Sequence, residues 1–312
     1  MNDREPSLTG PPQGVAPDYP AARKTRVIVN TDAKNEADDQ YAIVHALLTP
    51  SFDIHGIVPA HFGTRRTAHS LRESHDEVAH LLDLMALSQS VGVADGAPHG
   101  LTDDDTPAPS AGARLIIAEA MRDDPRPLHI AFYGPLTDMA SALLMEPRIA
   151  QRPVRVVWIG GGPWPGGGPE FNLSNDIHAA NVVFRSSVEV WQIPSTVYKL
   201  MAVGYAELME KVYPHGPLGR YLVEQLIAYN TAHHQEAMEY RSLGDSPAVG
   251  VIMYPDCGHW EWRPAPEFTP EMRYNHTGRH RPIRVYHSVD ARFVLEDFFA
   301  KLARFARQGR EA

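Results

Sequence analysis

The chain has 312 residues, a formal net charge of -9 and one cysteine, Cys257. This length allows one large α/β domain, whereas an acidic chain without a dense run of Lys or Arg is not expected to bind nucleic acid or an anionic membrane. A single cysteine excludes an intrachain disulfide framework and predicts a reducing, cytoplasmic location. A small polar molecule is therefore the expected partner.

The N-terminal stretch differs in composition from the remainder of the chain. Residues 1–24 are rich in Pro, Gly, Asp and Ser and contain no apolar core stretch. This composition predicts a flexible tail, and neither a signal peptide nor a membrane anchor. No later run approaches the roughly 20 apolar residues that span a bilayer. We expect residues 25–312 to form a single domain.

The first predicted strand and helix carry the most informative residues. Residues 27–29 form an apolar run typical of a strand buried on both faces, and a loop and an amphipathic helix follow. Asp32 leaves the strand, and Asp38 and Asp39 open the helix. Three carboxylates on one short turn repel one another, and oxygen ligands without Cys or clustered His favour Ca²⁺ or Mg²⁺ over zinc. The alternative, in which the helix dipole attracts the acidic pair and Asn35 caps the helix, leaves Asp32 unexplained.

Strands and helices alternate along the rest of the sequence. Further strands are predicted at residues 53–58, 90–94, 128–133, 154–159 and 188–193, with an edge strand at 284–286. Further helices are predicted at residues 64–87, 111–122, 136–145, 176–184, 218–240 and 291–306. Strands separated by helices require right-handed crossovers. The predicted fold class is therefore α/β, with a mainly parallel, doubly wound open sheet and helices on both faces.

Two further motifs follow predicted strands. Gly and Pro at residues 134–135, after a predicted strand, free a backbone carbonyl from the sheet, and hard cations accept such carbonyls, although this is also an ordinary strand-to-helix turn. The glycine-rich residues 160–168 lack the Lys-Ser/Thr ending of a nucleotide-binding P-loop. Glu170 and Asn172 come next, and a carboxylate and an amide can bind sugar hydroxyls or lie solvated in a loop.

The last aspartate motif and the histidines leave alternatives open. Asp245 precedes Ser-Pro at a predicted helix start, where the ordinary interpretation is a helix N-cap. His61, His99, His233 and His234 lie in or near loops and helix ends. Histidine is the commonest general acid or base, but the chain has 16 histidines, so spacing alone singles out none of them.

These motifs together resemble the inosine-uridine preferring nucleoside hydrolase family, whose members cleave N-ribosidic bonds with a bound calcium ion. NTDAKNEADD at residues 30–39 is similar to the family motif D-x-D-P-G-x-D-D, with a loop longer by two residues. YGPLTDMASAL at 133–143 is similar to the family's GPLTNLA segment. VVWIGGG at 156–162 and PEFNLSNDIHAANVVF at 169–184 are similar to its most specific signature. The lengthened Asp loop is closer to a nucleoside-hydrolase-like branch of the family.

The resemblance implies a metal site and a catalytic base. Calcium would be held by Asp32, Asp39, the main-chain carbonyl of Tyr133 and Asp245. Asp32 would deprotonate the calcium-bound water, which would attack C1′ of a ribonucleoside or related riboside. The resemblance also implies a homodimer or homotetramer.

The same resemblance implies contacts to the sugar. Asp38 would hold the 2′-hydroxyl, Glu170 and Asn172 the 5′ and 3′ sides, and Asp245 the 3′-hydroxyl. Gly244 stands where one subgroup of the family has a histidine that can protonate the leaving group, so the acid must come from elsewhere.

His233 and His234 are candidates for that acid, because they lie in the chain region that in the family reaches over the nucleobase. They could equally interact with the carbonyls of a helix end. Two other functions stay open. One is a protein that binds ribose or nucleoside without turnover, and the other is an aspartate-based phosphatase, for which Lys34 would have to bind phosphate.

Overall fold

The computed structural model describes the backbone of residues 19–311 and the side chains of residues 19–308. Most of the predicted flexible tail, residues 1–18, lies outside the described residues. Ala21–Arg23 forms one turn of 3₁₀ helix, and the carbonyl of Ala21 accepts a hydrogen bond of 2.8 Å from Arg126.

Eleven strands are present in the part of the chain that the structure describes. They are β1 (Thr25–Thr31), β2 (Phe52–Pro59), β3 (Leu128–Phe132), β4 (Val154–Ile159), β5 (Glu189–Ile193), β6 (Ala202–Gly204), β7 (Tyr240–Ser242), β8 (Trp260–Pro264), β9 (Glu267–Phe268), β10 (Tyr274–Asn275) and β11 (Pro282–Tyr286). Seven form the central sheet in the order β2-β1-β3-β4-β5-β11-β8. All neighbours are parallel except β8, which runs antiparallel to β11. The remaining strands form the pairs β6-β7 and β9-β10.

Helices cover both faces of this sheet. They are α1 (Asp39–Leu47), α2 (Ser70–Leu84), α3 (Ala111–Met121), α4 (Thr137–Met145), α5 (Phe171–Asn175), α6 (Ile177–Arg185), α7 (Ser195–Tyr198), α8 (Tyr205–Lys211), α9 (Gly216–His233), α10 (Ser246–Met253) and α11 (Ala291–Glu311). Within residues 19–311, no helix is long and apolar enough to cross a membrane.

Alternation along each strand builds two hydrophobic cores. Val27 and Val29 of β1 pack in the core that contains α1, α10 and α11, whereas Ile28 between them packs in the core that contains α3, α4 and α6. Successive side chains of a strand point to opposite faces, so an apolar run can only be buried if both faces are covered. The predicted doubly wound α/β fold is confirmed.

Four predicted elements differ from the structure. The helix predicted at residues 64–87 covers only Ser70–Leu84, and the strand predicted at 90–94 is a single bridge between Ile57 and Val93. The helix predicted at 218–240 begins at Gly216 and ends at His233, because the chain must be extended again to form β7. The predicted edge strand lies inside the sheet as β11, since the unpredicted strand β8 covers it.

Candidate active site

The candidate site lies at the switch point of the sheet, where the order in which strands are added reverses. From β1 the chain crosses to β2 on one side and later returns to β3 on the other side. The carboxyl ends of β1 and β3 therefore border a crevice, the usual ligand position in an open α/β sheet. Asp32 follows β1 and Tyr133 follows β3, so both lie at this crevice. Asn172 binds the Tyr133 carbonyl through its side-chain amide at 2.6 Å.

Three buried carboxylates meet at this point. Ligand oxygens of Asp38, Asp39 and Asp245 all lie within 4.8 Å of one another. Thr31 at the end of β1 donates its hydroxyl to Asp39 at 2.5 Å, and Asp39 also shares a hydrogen bond with Asp245. Asp32 lines the same pocket, and its Oδ2 atom is buried without a hydrogen-bond partner among the described residues. The structure thus groups Asp38 with Asp39 and Asp245 more closely than the sequence suggested.

The electrostatics of this group fit a bound cation. Burial, followed by repulsion from neighbouring carboxylates, raises the pKa of Asp39 to about 8 and that of Asp38 to about 6. The same two causes raise the pKa of Asp32 and of Asp245 well above the usual range. Carboxylates in such surroundings are neutral or share protons unless a cation compensates their charge. Oxygen donors of this kind, with one orphaned oxygen, suit a hard divalent ion.

Helix capping does not explain these aspartates. Asp38 and Asp245 occupy the positions before α1 and α10, yet within the described chain neither side chain makes a capping hydrogen bond. Asp38 Oδ2 instead accepts a 2.8 Å bond from the N–H of Gly244. The Asn35 side chain accepts a 3.0 Å bond from Arg66 and caps no helix. The capping interpretation is therefore wrong for Asn35 and Asp245.

The crevice has two connected parts. The inner pocket, of about 60 Å³, contains the carboxylates of Asp32, Asp39 and Asp245. The outer cleft, of about 500 Å³, extends from it past Lys199 and Arg241. Six residues line both parts, namely Glu36, Asp38, Glu170, Phe171, Tyr198 and Gly244. A ligand could therefore reach the carboxylates from the outer cleft.

Glu170 lies between the two parts, held by its surroundings. Its carboxylate accepts bonds from the backbone N–H groups of Gly161 at 2.8 Å and Leu173 at 2.9 Å, and so caps α5. The hydroxyl of Tyr198 donates to the same carboxylate at 2.8 Å. Glu170 is thus a fixed acceptor at the border of the inner pocket.

The histidines have different environments. His61 is buried outside both parts of the crevice, and its Nδ1 atom accepts from the N–H of Gly63 while its Nε2 atom pairs with Thr137 at 2.9 Å. Burial lowers the pKa of His61 to about 4, so it is a neutral structural residue. His99 is exposed and pairs with the carbonyl of Gly100.

His233 and His234 are adjacent in sequence but lie in different surroundings. His233 stacks on Tyr229, with ring centroids 4.2 Å apart, and its Nδ1 atom lies 2.9 Å from the Tyr229 carbonyl. His234 lines the outer cleft, where His233 does not. Only His234 is positioned beside the space that a ligand would occupy.

Several residues of the crevice were not singled out from the sequence. They are Glu36, Arg65, Tyr198, Lys199 and Arg241. Tyr198 ends α7, which begins directly after β5, so the rule that groups gather at the carboxyl edge of a parallel sheet could have indicated it. Arg241 forms an ion pair with Glu36, and these two residues are distant in sequence, so no spacing could reveal the pair.

Comparison with known protein families shows to which family the chain belongs. The profile of the inosine-uridine preferring nucleoside hydrolase family matches residues 27–295. The chain belongs to this family. The sequence prediction of a nucleoside hydrolase, an enzyme of the glycosidase class that acts on N-ribosyl bonds, is confirmed.

Individual relatives agree with the nucleoside hydrolase assignment. A probable uridine nucleosidase 2 of Oryza sativa subsp. japonica is 23% identical over 259 residues, which cover 74% of each chain. The pyrimidine-specific ribonucleoside hydrolase RihA of Citrobacter koseri is 28% identical over 64% of this chain and 69% of its own. A purine-preferring ribonucleoside hydrolase from Gardnerella vaginalis has the same fold, with a TM-score of 0.73 and 21% identity over 91% of this chain and 100% of its own.

Proposed function

We propose that this nucleoside hydrolase depends on calcium and cleaves the N-glycosidic bond of a ribonucleoside or related riboside by attack of water at C1′. One observation carries the proposal. The buried carboxylates of Asp38, Asp39 and Asp245 converge within 4.8 Å, beside the orphaned Oδ2 atom of Asp32. Their arrangement at the switch point of the sheet supports a site that both binds a cation and positions a water.

The proposed ligands of calcium are Asp32, Asp39, Asp245 and the Tyr133 carbonyl, with Asp38 close to the same group. These donors are all oxygen atoms, which fits calcium better than zinc. When bound, the ion would neutralise the carboxylates and make a coordinated water more acidic.

The proposed role of Asp32 is that of general base. Its buried Oδ2 atom, which has no hydrogen-bond partner among the described residues, can accept a proton from the attacking water. The water oxygen bonds to C1′ while the bond from C1′ to the leaving nitrogen breaks. The electron pair of the broken bond leaves with the nucleobase. Buried carboxylates around the sugar favour the positive charge that grows at C1′.

The proposed sugar contacts follow the resemblance. Asp38 would accept from the 2′-hydroxyl, Asp245 from the 3′-hydroxyl, and Glu170 and Asn172 would contact the 5′ and 3′ sides. Glu170 and Asn172 line the inner pocket, which supports these roles. His234 is the better candidate for leaving-group acid than His233, because His234 lines the outer cleft.

The aspartate-based phosphatase is less compatible with the contacts of Lys34. This side chain, the candidate phosphate ligand of that alternative, donates to Glu77 at 2.8 Å instead. A protein that binds ribose without turnover is separated from the hydrolase by an activity measurement. The cytoplasmic location and the homodimeric or homotetrameric assembly stay predictions from the sequence.

The test uses the purified chain with purine and pyrimidine ribonucleosides. We expect release of reducing sugar that stops on chelation and returns with calcium, and about one equivalent of calcium per chain. Asp245→Ala should lose calcium binding. The matched control, Asp123→Ala, removes an exposed carboxylate outside the crevice and should keep it. Calcium and ribose binding without product would favour the binding protein, whereas unchanged calcium affinity in Asp245→Ala would refute the metal site.

A further inference from the structure

The carboxylates that face the outer cleft already have partners. Glu36 forms an ion pair with Arg241. Glu170 accepts from three backbone N–H groups and from the Tyr198 hydroxyl, and Asp38 accepts from the N–H of Gly244. No ion pair among the described side chains joins Asp38 or Glu170 to a cation of the cleft.

Two cations of the outer cleft have no such neutralising partner. Arg65 and Lys199 both line the cleft, and no ion pair among the side chains of residues 19–308 includes either of them. Arg65 is nevertheless fixed in place. One guanidinium nitrogen donates to Ser174 at 2.7 Å, and the guanidinium lies over the ring of Phe171 with its carbon 5.0 Å from the ring centroid.

This arrangement is suited to an anion. A guanidinium held by stacking and by one hydroxyl keeps its other N–H donors free and loses little further freedom when it binds. An ammonium group adds a compact positive charge, and charge-assisted hydrogen bonds to phosphate are among the stronger ones. The neutral sugar and base of an ordinary nucleoside carry no charge that would use these two groups.

The position of the cations indicates which part of the substrate they meet. Glu170 and Phe171 line both the inner pocket and the outer cleft, and Phe171 carries the stacked guanidinium. In the proposed function Glu170 contacts the 5′ side of the ribose. A substituent on C5′ would therefore pass Glu170 and enter the cleft beside Arg65 and Lys199.

We propose that the outer cleft binds a phosphate on O5′, with Arg65 and Lys199 as its ligands, so that the substrate class is ribonucleoside 5′-phosphates. This inference rests on the proposed function, since Glu170 must face the 5′ side. Water would add to C1′, the bond from C1′ to nitrogen would break, and the products would be the free base and ribose 5-phosphate. The phosphate ester stays intact.

The test is titration calorimetry of the calcium-loaded chain with ribose, ribose 5-phosphate and inorganic phosphate. We expect ribose 5-phosphate to bind roughly 10- to 100-fold more tightly than ribose, the range for charge-assisted hydrogen bonds. The double variant Arg65→Ala, Lys199→Ala should lose this advantage and keep its affinity for ribose. The control Arg292→Ala, Arg304→Ala also removes two positive charges, from exposed positions on α11, and should bind both sugars as the unchanged chain does.

Each other outcome overturns a defined part of the proposal. Equal affinities for the two sugars, or a phosphate advantage that survives in the double variant, would refute Arg65 and Lys199 as phosphate ligands and leave the proposed function standing. Inorganic phosphate that binds as tightly as ribose 5-phosphate would refute a subsite for the substrate. Failure of both sugars to bind the calcium-loaded chain would refute the proposed function itself.

Discussion

In the proposed mechanism, Asp32 is the residue on which the chemistry depends most. Its Oδ2 atom is buried without a partner among the described residues, and burial and neighbouring carboxylates raise its pKa. We expect Asp32→Asn to lower turnover by about 10²–10⁴-fold, the usual range for a general base. Asp38→Asn should lose less turnover, because an amide oxygen can still accept the hydrogen bond from the N–H of Gly244.

Initial rates of sugar release at saturating calcium check this prediction. Calcium affinity is measured in parallel, so that a loss of metal is separated from a loss of the base. Turnover of Asp32→Asn within a few-fold of the unchanged chain would contradict the role of Asp32.

The leaving group depends on a different residue. Gly244 has no side chain to protonate a base, and a Cβ atom there would lie 3.1 Å from both Asp38 Oδ2 and Tyr198 Cδ2. His234 lines the same outer cleft as Gly244, so we expect His234→Ala to lower turnover of inosine at least roughly ten-fold. A p-nitrophenyl riboside needs no proton on its leaving group and should react nearly as before.

His233→Ala is the matched control for this comparison, because His233 is stacked on Tyr229 outside the outer cleft. It should react like the unchanged chain with both substrates. Equal losses of His234→Ala on inosine and on the p-nitrophenyl riboside would assign His234 to binding or folding instead.

Among the secondary-structure elements, the ends of strands β1 and β3 must approach each other closely to form the site. A Cβ atom on Gly134 would lie 2.8 Å from Asp32 Cγ, so the turn after β3 has room only for glycine. The indole N–H of Trp158 donates to the Gly134 carbonyl at 3.1 Å and holds this turn. We expect Gly134→Ala to displace Asp32 and lower turnover by roughly 10²-fold, as for a 1 Å misplacement of a catalytic group.

Urea unfolding and sugar release test this prediction together. Gly134→Ala should also lose about 1–3 kcal/mol of unfolding free energy, as expected for overpacking. Gly92→Ala is the control, since a Cβ atom at Gly92 meets no atom within 4 Å. Equal turnover of the two variants would show that the close approach is not needed.

The elements show which parts of the fold could be predicted from the sequence. β4 was predicted with its observed bounds, because a strand buried on both faces leaves an unbroken apolar run. β8 was missed although its sequence, WEWRP, alternates aromatic and charged residues as an exposed edge strand does. The helix predicted to Tyr240 ends earlier, because pairing of β7 with β6 overrides local helix propensity.

Long-range contacts account for the rest of the missed site. The carboxylates after β1 are adjacent in sequence, so their repulsion could be inferred directly. Arg65, Lys199 and Arg241 come from three distant segments that only the folded chain brings to one cleft. No periodicity or spacing relates them.

At the scale of the whole molecule, the central carboxylates oppose folding when no cation is bound. Their pKa values in the folded chain, about 6 for Asp38 and about 8 for Asp39, lie above the ordinary value near 3.9. At these two carboxyl groups the folded chain therefore binds more protons than the unfolded chain between about pH 4 and pH 8. Their contribution to the free energy of unfolding should fall as pH rises through this range, by about 1.4 kcal/mol per pH unit for each extra proton held.

Thermal unfolding at pH 5 and pH 8, in chelator and in excess calcium, tests this linkage. The proposed calcium ion would bind the deprotonated carboxylates of the folded chain, and a concentration of 100 Kd would add about 2.7 kcal/mol to the free energy of unfolding. The calcium-induced rise in Tm should therefore be larger at pH 8 than at pH 5. Other titrating groups affect the Tm in chelator and the Tm in calcium alike at a given pH. Their effect therefore cancels in the calcium-induced rise in Tm.

The variant Asp39→Asn, Asp245→Asn is the control for that experiment, because it removes two of the mutually repelling charges and two proposed calcium ligands. In chelator its Tm should fall less between pH 5 and pH 8 than that of the unchanged chain, and calcium should no longer raise it. A calcium-induced rise in Tm of the unchanged chain that is as large at pH 5 as at pH 8 would mean that the carboxylates are already neutralised within the folded chain. The requirement for a cation would then have no electrostatic basis.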